Sequence, residues 1–193
     1  MSDAKPRLLP SELVARPTSL NDQPLVDEIF SDARLAEMSE TAFPQSYAEA
    51  REQLLTLMDQ GVMKGWFIEL PGFGVLSAQF YAPTGFAGTW SGDTVTAPGA
   101  ATLGRSGIGS ACMAVALDAL FADEFVQRLS GQVAVINPAA LAMCERMGFT
   151  REGVARSHMA TPDGKRVDAV MVGLLRDEWM GAAAVERHLK TTS

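Results

Sequence analysis

The stretch from residue 65 to residue 95 constrains the fold most. GWFIEL (65–70), GFGVLSAQFY (72–81) and FAGTWSGDTV (86–95) have the apolar, aromatic and β-branched texture of strands. Only short turn sequences, around Pro71-Gly72 and at Ala82–Gly85, separate them. A parallel crossover needs about a dozen residues or more, so connections this short leave one arrangement, an antiparallel meander.

The flanks change period. ELVARPT (12–18) reads as a short strand. Leu25, Val26, Ile29 and Phe30 recur at helical spacing, with Asn21 or Asp22 available as cap. Ser46–Glu49 has the form of a capping box and opens a second helix through Tyr47, Ala50, Leu54, Leu57 and Met58, ended by Gly61. Beyond the meander, Gly107 to about Glu124 is a long helix, apolar on nearly every side as far as Leu117, which must be buried against a sheet. QVAVI (132–136) reads as an interior strand. Asn137-Pro138 starts another helix, with asparagine as cap and proline in the first position, and Gly148 ends it. A hairpin follows, turning at Asp163-Gly164, and then a final helix. The order predicts one mixed α/β domain over 12–180, with a loose leader over 1–11 and a helical tail over 181–193.

Composition narrows the function classes. A formal charge of −7 argues against a nucleic-acid surface, which needs clustered lysine and arginine. No apolar run reaches the length of a membrane span, and the first residues lack the apolar core of a secretory signal, so a cytoplasmic location is expected. Two cysteines in helical apolar stretches predict no structural disulfide, and two histidines without paired spacing predict no metal site.

The chemistry is carried by RSGIGS, between strand and long helix. Amides at a helix start are unpaired within the helix and carry partial positive charge, which suits a phosphate or pyrophosphate. Gly107 and Gly109 let that backbone approach an anion closely. A nicotinamide enzyme is set aside: the loop lies past mid-chain behind a meander, and Asp123 and Glu124 fall on the helix itself.

RSGIGS, VAVINPAALAMCERMGFTREGVAR and DAVMVGLLRDEW together resemble the GNAT superfamily, in the branch of ribosomal-protein N-terminal acetyltransferases and their small-molecule relatives. The resemblance implies a central, mostly antiparallel sheet, splayed at the cofactor site, with helices on both faces. It implies acetyl-coenzyme A as co-substrate without a metal, and transfer of the acetyl group to a primary amine, on a small molecule or a protein N-terminus. A non-catalytic acyl-coenzyme A sensor is the alternative, and a homodimer is left open.

Residue by residue, the resemblance places the pyrophosphate on the backbone of Arg105, Ser106, Gly107, Ile108, Gly109 and Ser110. It places the pantetheine arm along Val95 and Thr96, and gives Asn137 either a pantetheine contact or only a helix cap. The family's usual Gln or Arg, three positions before the first glycine, is replaced by Gly104. Its proton-donating tyrosine is replaced by Cys144, a residue type that packs more often than it donates. Its strand glutamate has no counterpart but Asp93. Trp66, Phe80 and Trp90, with Glu37–Tyr47 and Trp90–Asp93, are candidates to line the acceptor pocket. Glu152, Asp168 and His158 read as structural or surface residues.

Overall fold

The computed structural model describes residues 5–31, 46–161 and 164–191. The side chains of the capping box Ser46–Glu49, most of the stretch Glu37–Tyr47, and Asp163 lie outside the described residues. Among the described residues, seven strands form one sheet: β1 (Val14–Pro17), β2 (Lys64–Leu70), β3 (Gly74–Pro83), β4 (Thr89–Thr96), β5 (Arg128–Ala134), β6 (Thr150–Ala160) and β7 (Arg166–Leu175). Their spatial order is β1-β2-β3-β4-β5-β7-β6, and every neighbouring pair is antiparallel except β4–β5. The meander read from the short turns is therefore present, and the one parallel pair is the one joined by a helical crossover.

Among the described residues, five α-helices cover the sheet: α1 (Gln23–Ile29), α2 (Ser46–Asp59), α3 (Ile108–Phe121), α4 (Pro138–Arg146) and α5 (Ala182–Thr191). Val26, Ile29 and Phe30 from the α1 region and Leu54 and Leu55 from α2 pack with Phe67, Phe80 and Val95 on one face. On the other, α3 lies over the sheet with Leu117 and Leu120 fully buried, joined by Met147, Leu174 and Leu189. Burying each such leucine contributes roughly 1.5–3 kcal/mol, so the fold rests on two apolar layers with the sheet between them. Among the described residues, no helix is long and apolar enough to cross a membrane.

Three expectations are corrected. Asp22 does not cap α1 with its side chain; its carboxylate accepts from Arg16 and from the Ser19 N–H instead. The strand expected at 132–136 runs over 128–134, because its ladder with β7 begins at Arg128↔Leu175 and ends at Ala134↔Ala169. Val135 and Ile136 lie beyond it and are exposed, so local apolar density marked the wrong end of the strand. The first residues are not loose from Lys5 onward. The Leu8 N–H donates to Ser106 O and the Ser106 N–H to Pro6 O, and the Leu8 side chain is fully buried.

Candidate functional site

β4 and β5 run side by side for three residue pairs only: Thr89↔Arg128, Trp90↔Leu129 and Ser91↔Ser130. β4 then continues to Thr96 and β5 to Ala134 without pairing, so the sheet divides into a wedge whose root is at Ser91 and Ser130. Direction alternates along a strand. The Thr84 N–H donates to Thr89 O and the Ala97 N–H to Leu76 O, so odd-numbered residues of β4 bond toward β3. Thr94 and Thr96 accordingly turn their backbone groups toward the wedge, where an extended amide chain would add as a strand. Val95 turns its own toward β3, where its carbonyl also accepts from Ser77 Oγ at 2.9 Å.

A buried polar string braces this arm of the wedge. Thr94 Oγ1 and Tyr81 Oη both donate to Gln79 Oε1, at 2.7 and 3.2 Å, and Gln79 Nε2 donates to Ser77 Oγ at 2.8 Å. Gly92, the first β4 residue past the root, has no room for a Cβ beside the Tyr81 ring. Burial pushes the Tyr81 hydroxyl well above its ordinary value, so it stays protonated and donates. Alternation marks the positions but not the network, because threonine, glutamine and serine on a strand usually signal a solvated face.

At the far end of β4 the chain turns through Pro98–Leu103 and enters α3. Gly107 is the N-cap, with φ +75°, a left-handed conformation that disfavours any side chain. A Cβ there would also lie 3.1 Å from Arg7 Cγ. Six residues were expected at the cradle, and the structure divides them. Arg105 and Ser106 hold the loop in place. The Arg105 guanidinium donates to both carboxylate oxygens of Glu12, at 2.7 and 2.8 Å, and to Arg7 O. That ion pair keeps the Glu12 carboxyl below its ordinary range. Ser106 pairs with the leader through its backbone and through Oγ to Lys5 O. Gly107 sets the turn, and Ile108, Gly109 and Ser110 open the helix, where amides have no carbonyl one turn back to receive them.

Cationic side chains gather at this positive helix end. Arg146 of α4 donates from Nε to Ser110 Oγ at 3.2 Å, and the Arg7 side chain lies against Gly107 while donating to Leu189 O. The Arg146 guanidinium beside the helix-start amides adds positive charge where the macrodipole already supplies it, an arrangement that fits a phosphate group. Neither arginine was singled out by the sequence, since each is distant from the glycine loop along the chain.

Asn137 caps α4, its Oδ1 accepting from the Ala140 N–H at 3.0 Å. Cys144 on the same helix is buried, and burial pushes its thiol up to about 11. It is a neutral thiol at physiological pH, a group that can donate a proton but not attack. Asp93 is exposed on the face carrying Val95 and Phe80, the α1/α2 face, two residues past the root. Trp66 and Trp90 are partly buried against the α3 layer and Phe80 is core of the α1/α2 layer, so these three aromatics pack rather than line one pocket.

No family model matches the chain. Solved structures do resemble it. Spermidine N-acetyltransferase from Vibrio cholerae, in complex with CoA and spermine, is 17% identical, with a TM-score of 0.74 over 89% of this chain and 99% of that one. Mycobacterium smegmatis RimJ in complex with CoA-disulfide is 20% identical, with a TM-score of 0.72 over 92% of this chain and 89% of that one. Ribosomal-protein-S5-alanine acetyltransferase from Vibrio fischeri is 13% identical, with a TM-score of 0.68 over 87% and 95%. The fold is that of these N-acetyltransferases, as the sequence resemblance implied.

Proposed function

We propose that the protein is an N-acetyltransferase that binds acetyl-coenzyme A in the β4–β5 wedge and transfers the acetyl group to a primary amine. One observation carries the reading: the β4 arm of the wedge leads on from its root to the α3 N-terminus, where helix-start amides and Arg146 collect positive charge. A ligand with an amide-bearing arm and a polyphosphate end matches both halves. Thr94 and Thr96 pair with the arm, and Ile108, Gly109, Ser110 and Arg146 receive the phosphates. That the structural neighbours named above include complexes with CoA and with CoA-disulfide supports a ligand of this class.

The amine attacks the thioester carbonyl directly. The C–N bond forms as the C–S bond breaks, and the departing thiolate takes up a proton. The exposed Asp93 places a negative charge beside the root, which draws a cationic amine to the acyl end. Acceptors on which to test this are spermidine, spermine and a peptide beginning with alanine, the amines that the neighbours' names suggest. Thioester consumption with one of them supports a transferase. Saturable binding of acetyl-coenzyme A with no consumption on any amine indicates a sensor on the same fold.

A further inference from the structure

The β6–β7 hairpin carries a distortion that fold alone does not require. Its ladder takes one extra residue at Glu152, runs on to Ala155↔Ala169 and resumes at Met159↔Val167, leaving three residues of β6, Arg156 to His158, opposite Asp168. Within that bulge Ser157 has φ +49°, the one non-glycine residue with positive φ among the described residues. Side chains hold it there. The Ser157 N–H donates to Asp168 Oδ1 at 2.8 Å, and Arg166 donates to Ser157 O and His158 O at 2.9 and 3.1 Å. Bulges of this kind re-aim a side chain, and backbone strain held by surrounding bonds collects at functional positions.

Here the side chain re-aimed is His158. β7 lies between β6 and β5, so a regular β6 residue stands about 10 Å from β5. The bulge instead carries the imidazole across β7, bringing Nε2 to 2.7 Å from Gln132 Oε1. Gln132 is two residues past the wedge root on β5, as Asp93 is on β4. Residues paired across parallel strands share a face, so Ser91 and Ser130, and with them Asp93 and Gln132, lie on the α1/α2 face. Asp93, Gln132 and His158 are all exposed there, whereas α3 closes the opposite face.

Resting on the transferase reading above, we propose that His158 is the proton acceptor for the incoming amine, held by Gln132 beside the root of the wedge. With Gln132 Oε1 as acceptor, Nε2 carries the ring proton and the lone pair is left at Nδ1. The acceptor's ammonium gives a proton to that nitrogen. The freed amine pair forms the C–N bond, the C–S pair departs on sulfur, the nitrogen sheds its second proton to solvent to leave the amide, and the thiolate is protonated as the imidazolium returns its proton. The charged groups around it are Arg166 and Asp168, engaged with the bulge backbone, Arg128, paired with Glu152, and Asp93 on the opposite arm.

The test compares wild type with His158→Ala on spermidine and on the alanine peptide, measuring kcat/KM from pH 6 to 10, acetyl-coenzyme A affinity by calorimetry, and Tm. The proposal expects kcat/KM at neutral pH to fall on the order of 100-fold. Affinity and Tm stay unchanged, the loss shrinks as rising pH supplies free amine from solution, and added imidazole restores part of the rate. A variant with wild-type kcat/KM and pH profile overturns the assignment of His158 and leaves the transferase reading standing. A rate loss that imidazole does not relieve and that persists at every pH also overturns it, as the mark of a structural role. Wild type inert toward every amine overturns both.

Discussion

The two arms of the wedge are built by different means. The β4 arm is backbone: an alternating strand edge, a glycine N-cap and three helix-start amides, fixed by the Thr94–Gln79–Tyr81 string beneath and by the Arg105–Glu12 pair beside. The β5–β6 arm is side chain: Gln132 on a strand that ends before Val135 and Ile136, and His158 on a bulge held by Asp168 and Arg166. Main chain suits a ligand end that never varies, because amides and a helix terminus recognise phosphate whatever the neighbouring sequence. Side chains suit the end where the second substrate enters, where identity must be selected.

That comparison is broken most severely at Gly107. Gly107→Val places a β-branched residue at φ +75° against Arg7, and the resulting shift of the loop should weaken acetyl-coenzyme A binding by more than about 100-fold by calorimetry, with a drop in Tm. Unchanged affinity removes the cradle from the β4 arm. Arg146→Ala sharpens it. Losing one charge-assisted bond should weaken binding about tenfold, roughly 1.4 kcal/mol, more at low salt than at high, with Tm unmoved. A loss of turnover without loss of affinity would place Arg146 on the acceptor side instead.

Smaller effects test what supports the arms. Cys144→Ala removes a buried sulfur and should cost about 1 kcal/mol in denaturant unfolding, with turnover within about twofold of wild type. A larger fall in turnover would make the thiol the thiolate's proton source. Glu12→Gln breaks the pair with Arg105, which is partly solvent-exposed, and should cost below about 1 kcal/mol at pH 7. The Glu12 carboxyl is lowered in the folded state, so its stabilisation is present above the ordinary carboxylate value and is lost as pH falls through the folded one. Wild type and variant should therefore converge in stability as pH falls below the ordinary carboxylate range.

The same contrast explains what could be read from sequence. The meander, the buried α3, the Asn137 cap and the Gly148 stop were legible because short turns, helical period and cap chemistry act locally. RSGIGS was legible because a tight approach demands glycine. Arg7 and Arg146 were not, since only folding brings the leader and α4 to the α3 N-terminus. β5 was misplaced because pairing with β7 outweighed the apolar run at Val133–Ile136. His158 read as a surface residue because a bulge held by residues eight to eleven positions away leaves no mark in the local pattern.

Titrating acetyl-coenzyme A into the wild-type protein and into Gly107→Val decides whether the α3 N-terminus holds the donor. A saturable heat at one site per chain is expected in the wild type and is lost in the variant. No heat in the wild type, or the same heat in both, would contradict it.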